Sequence, residues 1–293
     1  MRVCAPKVKN CVLLSNFNVQ VTQQVVLDTT ESMEVAHQWI RLRGRRLLSL
    51  VSMVGGLFLL IYKVIHRLIK RRIDLGEFWR ACLGFGEQSI PIMMMASAFT
   101  GMILVLQGAV YVEKYGMRSF VGWYVSLATV KEVGPILIAL MFSGRVGAKN
   151  TSELASMKVG EQMDALRVLA LDVYELLIVP RVVAMVLAMA CLVVLGDFMA
   201  LVAAAGVADV LLGIDYLTFY SSMVSKLQVS DVLLGVAKTV CFGGLIAVVS
   251  SYCGLNAERG AQGVGRAVNQ QVVGSAVAIF LVDCMIALGG RLL

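Results

Sequence analysis

The sequence predicts an all-α, polytopic membrane protein with five transmembrane helices, an N-terminal interfacial helix and a helical cytoplasmic segment. The first observation is composition: of 293 residues, 59% are hydrophobic and 15% charged, and the mean hydropathy is +0.82. A soluble domain has roughly 45–50% apolar and about 25% charged residues. The second is that apolar segments of roughly 20 residues, the length that crosses a bilayer, recur along the chain. The third is a polar, helix-favouring segment between two of them.

The N-terminal region precedes these long apolar segments. Residues 1–40 lack an apolar run followed by a small-residue cleavage site, so we predict no secretory signal peptide and treat them as an extension of unknown role before one domain at 41–293. An apolar run at about 47–62 has only 16 residues. Basic residues flank it, at Arg41, Arg43, Arg45 and Arg46 before it and at Lys63, Arg67, Lys70, Arg71 and Arg72 after it. Because both ends favour an anionic membrane surface, we predict an interfacial helix.

Five longer apolar segments are predicted to cross the membrane. They lie at about 88–112, 120–142, 176–204, 232–255 and 272–288. Lys and Arg are concentrated before the first segment and in the loops 143–175 and 256–271, and basic loops favour the cytoplasmic side. We therefore predict a cytoplasmic N-terminus and a C-terminal Leu293 on the outside. The net charge of +7 is explained by membrane-facing basic residues, so no nucleic-acid partner is predicted.

Several catalytic and ligand-binding motifs are absent from the sequence. No G-x-x-x-x-G-K-[ST] segment occurs, so the chain by itself does not cradle a nucleotide phosphate as a P-loop does. His37 and His66 both precede the first span, which leaves no His cluster for a metal and no Ser/His/Asp set for hydrolysis. The seven cysteines form no CxxC pair. We predict no metal site, no cofactor and no catalytic residue.

The cytoplasmic segment between the second and third spans predicts a helix over about 150–170. Asn150 can cap this helix, with Glu153 at the third position in a capping-box arrangement. The apolar side chains are Leu154, Met157, Met163, Leu166 and Leu169, and the polar ones are Glu153, Lys158, Glu161, Gln162, Asp164 and Arg167. A solvated surface helix would show the same amphipathic pattern. Held between two spans, however, such a helix can transmit motion from a soluble partner, as the coupling helices of ABC transporters do.

The central segments resemble a known family. GPILIALMFSGRVGA, followed by ELASMKVGEQMDALRVLALD and VPRVVA, is similar to the signature of the MlaE family of ABC permeases. GMILVLQG in the first span and FLVDCMIAL in the last also resemble that family, and the likeness covers roughly Leu47 to Leu293. It implies a homodimeric permease that works with a cytosolic ABC ATPase and an MCE-domain substrate-binding protein.

The resemblance further implies a transport subunit, not an enzyme, because ATP hydrolysis belongs to the partner chain. The family moves phospholipids or related lipids between the membranes of Gram-negative bacteria, and a plastid branch imports lipid. The expected location is the bacterial inner membrane, ahead of the plastid inner envelope. The expected ATPase interface consists of Glu153, Met157, Lys158, Glu161, Gln162, Asp164 and Arg167.

Ionisable residues inside the predicted spans mark a candidate lipid site. Lys131, Glu132, Lys238 and Asp283 lie in three different spans, and such residues are expensive in hydrocarbon and normally face a partner or a wet cavity. Counting the ~1.5 Å rise per residue from the inner edge places Lys131 and Asp283 at similar heights. We therefore predict that Lys131 pairs with Asp283, with Glu132 available to Lys238 or to water. A neutralised cluster that only locks the helices together is the alternative.

Two further patterns concern packing and lipid contact. Gly235, Thr239, Gly243, Ala247 and Ser251 recur every four residues and predict close helix approach along the fourth span. In the first span, Met102, Leu106 and Gln107 are expected to touch acyl chains. Two other classes of protein remain open. A proton-coupled secondary carrier would use Glu132 and Asp283 as proton sites, and a structural scaffold would need none of these charges.

Overall fold

The described part of this computed structural model comprises residues 51–68, 75–87, 89–116 and 120–292. These residues contain helices and no strand, which confirms the all-α class. The helices are α1 (Val51–Leu68), α2 (Leu75–Gly86), α3 (Ile90–Tyr115), α4 (Phe120–Val159), α5 (Gln162–Val168), α6 (Tyr174–Leu212), α7 (Tyr216–Lys226), α8 (Val229–Leu255) and α9 (Ala261–Leu292). Leu57–Leu293 forms one compact unit. The predictions for residues 1–50, for the basic residues at 69–74 and for Leu293 lie outside the described residues.

Six of the described helices are long and apolar enough to cross a membrane, judged by length and composition: α1, α3, α4, α6, α8 and α9. The chain is therefore a multi-pass membrane protein. The five predicted spans correspond to the last five of these helices. Because the 18 residues of α1 also satisfy the length and composition of a span, the count of five spans plus an interfacial helix stays a prediction.

The ends of the long helices follow local sequence signals. Pro91 occupies the first turn of α3, where its missing N–H leaves no backbone bond unmade. Gly116 ends the same helix with φ 68°, and Gly213 ends α6 with φ 59°. Both glycines adopt the left-handed conformation that commonly closes a helix.

Three helices extend well beyond their predicted bounds: α6 reaches Leu212 instead of about residue 204, and α4 and α9 also enter segments expected to be loops. α4 continues from Phe142 to Val159 without interruption, and α9 begins at Ala261 instead of about residue 272. The expected cap at Asn150 is wrong, because Asn150 is fully buried within α4 and donates a 2.8 Å hydrogen bond to Ser250 of α8. The predicted bounds were set where the apolar runs end, but α4 and α9 also include the polar residues that adjoin those runs.

The predicted single helix over 150–170 is broken. α4 ends at Val159, Gly160 and Glu161 form a turn, and the seven-residue α5 follows. Glu161 has φ 56°, a left-handed conformation that a helix interior does not contain. The segment is thus an extension of α4 followed by a short separate helix.

The core lies among α4, α6 and α8. Its fully buried apolar side chains include Ile138, Phe142, Met185, Met189, Phe242 and Ile246. The small-residue stripe of α8 is buried as predicted. A Cβ at Gly235 would overlap the carbonyl oxygen of Val130 in α4, and one at Gly243 would lie 3.1 Å from Met189 Cβ in α6. Close approach between helices therefore confirms the structural interpretation of this stripe.

Candidate functional site

Lys238 of α8 lies at the centre of a charged cluster within the candidate spans. Its Nζ is 2.7 Å from Glu132 Oε2 of α4, to which it donates a hydrogen bond. The same Nζ forms an ion pair at 2.8 Å with Asp283 Oδ1 of α9. The Lys238 side chain is fully buried, while Glu132 is 41% exposed and Asp283 14% exposed. One cation thus joins three helices and faces two carboxylates, which leaves the trio with a net charge of −1 when all three are ionised.

The predicted pairing of Lys131 with Asp283 is wrong. Lys131 Nζ instead lies 3.1 Å from Asp231 Oδ1, in the first turn of α8. The comparison of heights used the Cα positions of Lys131 and Asp283 only. The four-carbon stem of Lys131 carries its ammonium away from its own Cα, towards Asp231 at the start of α8. The other predicted contact, between Glu132 and Lys238, is confirmed.

Lys131 and Glu132 occupy a π-helical segment of α4, Thr129–Val133. The cause is local: Pro135 has no N–H to donate, and its ring would clash with the carbonyl four residues earlier. A wider turn relieves that conflict, and the Gly134 N–H closes it on the Thr129 carbonyl. π-Turns inside α-helices frequently occur at functional sites. Here the turn carries Glu132 of the cluster and its neighbour Lys131, which pairs with Asp231 of α8.

Asp197 of α6 is a buried carboxylate that our sequence analysis missed. Its Oδ1 is inaccessible to solvent and has no hydrogen-bond partner among the described residues. The carboxylate lies against Gly134, where a Cβ would overlap Asp197 Oδ1. The signal was present in the sequence, because Asp197 is the single acidic residue of the predicted span 176–204 and a carboxylate in a span is a functional-site hypothesis by default.

The residues expected to touch acyl chains lie on α3. Leu106 is 49% exposed, Gln107 is exposed and Met102 is half-buried. Gly101 fixes the orientation of this helix, because a Cβ there would overlap the Ala200 carbonyl oxygen of α6. The face of α3 opposite that close approach is therefore available to lipid or to another chain.

The residues predicted to bind an ATPase divide into two groups. Glu153 and Met157 are half-buried and contact other parts of the chain: Glu153 Oε2 is 3.0 Å from Arg181 Nη1 of α6 while its side chain stays 41% exposed, and Met157 packs against a small core that contains Leu154 and Met163. The others lie at the surface, where Glu161, Gln162, Asp164 and Arg167 are exposed and Lys158 is half-buried. Asp164 and Arg167 pair with each other at 3.1 Å.

Apolar side chains are also exposed in this region. Val168 is 87% exposed, Leu169 68% and Leu171 45%. They form one segment with the turn at Glu161 and with α5, and residues 160–171 are defined here as the end surface. Only Leu169 was named from the sequence, where it was counted as one apolar residue of a longer helix. Contiguous exposed apolar side chains beside charged ones are typical of a protein interaction site.

The segment between α5 and α6 is fastened to α1. Arg67 Nη2 lies 2.5 Å from Asp172 Oδ2, and Asp172 Oδ1 accepts a 3.0 Å hydrogen bond from the Tyr174 N–H. Lys63 and Arg67 both stack over the Tyr174 ring, at 5.0 and 4.9 Å from its centroid. Arg67 was expected to face an anionic membrane surface, but it binds a carboxylate of its own chain.

Comparison with known proteins is consistent with this architecture. The family model described as Permease MlaE matches residues 78–288. The chain belongs to the MlaE permease family. A probable ABC transporter permease protein of Rickettsia felis is 33% identical over 243 residues, which cover 83% of this chain and 94% of the relative.

Two relatives from other lineages match this MlaE-family permease. A probable ABC transporter permease protein of Synechocystis is 32% identical over 81% of this chain and 88% of its own length. The chloroplastic protein trigalactosyldiacylglycerol 1 of Arabidopsis thaliana is 30% identical over 77% of this chain and 64% of its own length. The range matched by the family model contains the charged cluster and the end surface, and it begins after α1.

Proposed function

We propose that this MlaE-family permease is the membrane subunit of an ABC transporter that moves phospholipid or a related lipid between membranes. ATP hydrolysis takes place in a separate cytosolic chain. The relatives named ABC transporter permease support the transporter class, and the Arabidopsis relative, whose name contains a glycerolipid, supports the lipid cargo. The working unit is a homodimer in a bacterial inner membrane, associated with an MCE-domain protein, with residues 143–175 facing the cytosol.

The observation that carries the proposal is the arrangement of charge around Lys238. Maintaining three ionisable groups among apolar helices is costly, so a purely structural cluster would be closed and neutral. This cluster has one more carboxylate than cations, and Glu132 remains 41% exposed. An accessible carboxylate can accept hydrogen bonds from a polar headgroup. Met102, Leu106 and Gln107 supply the surface for acyl chains, while Lys131, Glu132, Lys238 and Asp283 supply the polar part.

The end surface is the proposed docking site for the ATPase. The cytosol offers water, not lipid, to Val168, Leu169 and Leu171, so their exposure is unfavourable until a partner covers them. Glu161, Gln162, Asp164, Arg167 and Lys158 supply the surrounding polar contacts. Glu153 and Met157 support this surface, because Glu153 binds Arg181 of α6 and Met157 packs against the small core.

The test is reconstitution of the permease with its ATPase and MCE-domain protein. Fluorescent phospholipid is placed in donor vesicles and its transfer to acceptor vesicles is followed with and without ATP. Glu132→Gln keeps the side-chain shape and is expected to slow ATP-dependent transfer by about tenfold. Glu258→Gln is the matched control, because Glu258 is an exposed carboxylate paired with Arg266 at 2.9 Å.

Three results would contradict the proposal. Transfer driven by a pH gradient without ATP would indicate a proton-coupled carrier. Absence of lipid transfer in every condition would indicate a scaffold. Equal transfer by the Glu132→Gln variant and the wild type would remove the charged cluster from the mechanism.

A further inference from the structure

A cavity of about 360 Å³ lies between the start of α4 and α7, at the end of the bundle opposite the end surface. Its walls are Phe120, Trp123, Thr218, Ser221, Ser222, Ser225 and Lys226. The packing that forms it is specific. Phe219 of α7 is buried, and a Cβ at Gly122 of α4 would overlap the Phe219 carbonyl oxygen. The two helices are therefore in direct backbone contact beside the cavity.

The polar groups of this cavity favour an anion. The serine hydroxyls already donate to backbone carbonyls, Ser221 and Ser222 to Thr218 at 3.1 and 2.5 Å and Ser225 to Ser222 at 3.1 Å. The remaining strong donors are the Lys226 ammonium and the Trp123 indole N–H. Within the described part of the chain, neither has an ion pair or a hydrogen bond. Among the described residues no carboxylate lines the cavity, and Lys226 gives this lining a positive charge.

A second cavity, of about 300 Å³, adjoins the first and is apolar. Its walls are Gly108, Tyr111, Val112, Phe120, Val121, Trp123 and Tyr124. The two cavities share Phe120 and Trp123, whose rings meet edge to face at 5.5 Å. Aromatic rings of this kind are typical of the boundary between the membrane core and the headgroups. A cationic chamber and an apolar chamber thus share one aromatic wall.

We propose that these two cavities form a binding site for an anionic, phosphate-bearing lipid. The phosphate accepts hydrogen bonds from the Lys226 ammonium and the Trp123 N–H. One acyl chain passes the aromatic wall and lies against Tyr111 and Tyr124. This site is separate from the charged cluster, because Lys238 lies nine residues, or ~14 Å, inside the start of α8. It concerns lipid binding at the membrane boundary and does not depend on transport.

Tryptophan fluorescence can test the site directly. The chain contains three tryptophans, so replacing Trp39 and Trp79 with phenylalanine leaves Trp123 as the reporter. The full-length permease is placed in nanodiscs containing brominated phosphatidylglycerol or brominated phosphatidylcholine, because bromine quenches indole only at short range. We expect quenching by the anionic lipid to exceed that by the zwitterionic lipid about twofold.

The variants assign that preference to Lys226. Lys226→Gln is expected to make quenching by the two lipids equal. Lys226→Arg keeps the positive charge and is expected to keep the difference in quenching. Lys114→Gln is the matched control, because Lys114 is an exposed lysine near the same end of the bundle and lines neither cavity. Inorganic phosphate at millimolar concentration is expected not to relieve the quenching, which separates a lipid headgroup from a free phosphate.

Equal quenching by both lipids in the parent, or a preference that survives Lys226→Gln, would overturn the proposal. Relief of quenching by inorganic phosphate would indicate that the site binds a soluble anion and not a lipid headgroup. The measurement uses neither ATP nor a partner, so its failure is distinguishable from failure of the transport proposal.

Discussion

The charged cluster and the end surface contrast in how their side chains are satisfied. Around Lys238, every ionisable group of the trio has a partner within 2.8 Å on another helix. On the end surface, the Asp164–Arg167 pair is local and exposed, and the Val168 side chain is 87% exposed. A charge inside an apolar bundle is costly unless it pairs within the chain, whereas a solvent-exposed group remains stable without such a partner. The first region therefore explains stability, and the second predicts association.

Loss of Lys238 is expected to give the largest effect. Lys238→Ala leaves two carboxylates without their cation, and breaking a buried pair in this way costs about 3–5 kcal/mol. We expect a large drop in the unfolding midpoint of the detergent-solubilised permease. The triple variant Glu132→Gln, Lys238→Met, Asp283→Asn removes all three charges and is expected to recover most of the loss without recovering transport. A Lys238→Ala protein as stable as the wild type would contradict the pairing.

Gly134 provides the next test, in the same region. Gly134→Ala places a methyl group on Asp197 Oδ1, and overpacking of this kind costs about 1–3 kcal/mol. Asp197→Ala in the same chain is expected to relieve the overlap, so that the double variant is more stable than the sum of the single effects allows. Chemical unfolding of the four proteins measures this coupling. Additive effects would show that the two residues do not touch.

The end surface is expected to respond in association, not in stability. Val168→Asp combined with Leu169→Asp should weaken copurification with the ATPase by about tenfold, because two apolar contacts are replaced by hydrated charges. The unfolding midpoint should be unchanged, since both side chains are exposed already. Glu161→Arg with Asp164→Arg tests the polar part of the same surface.

The matched control for these double variants is Lys114→Gln, because Lys114 is an exposed lysine at the opposite end of the bundle and lines neither cavity described above. ATPase binding and coupled hydrolysis at the wild-type level in both double variants would move the docking site elsewhere on the permease.

The smallest effect is expected at the pair between Lys131 and Asp231. Lys131 is 36% exposed, and exposed ion pairs are worth about 0–1 kcal/mol. A double-mutant cycle with Lys131→Ala and Asp231→Ala should show weak positive coupling, whereas Lys131→Ala with Asp283→Ala should be additive. Coupling between Lys131 and Asp283, together with additivity between Lys131 and Asp231, would instead support the Lys131–Asp283 pair that the sequence predicted.

Whether a residue of the candidate site could be identified from the sequence depended on its local sequence environment. The set Lys131, Glu132, Lys238 and Asp283 was found because charge inside an apolar run is conspicuous. Asp197 carried the same signal as the single acidic residue of its span, but our sequence analysis did not include it. Asn150 was misread because its local sequence fits both a cap and a helix interior, and its contact with Ser250 spans 100 positions of the chain.

Composition, length of the apolar runs and the spacing of small residues determined the all-α class, the approximate positions of the long apolar helices and the stripe that packs α8. These properties are local or periodic, so they can be read along the chain. The tertiary structure decided which carboxylate each lysine binds, where α4 ends, and which apolar side chains remain exposed on the end surface. Partner choice depends on the rotation and depth of each helix, and the π-segment before Pro135 alters both for Lys131 and Glu132. Only the packed bundle fixes those quantities, because they arise from contacts between segments distant in sequence.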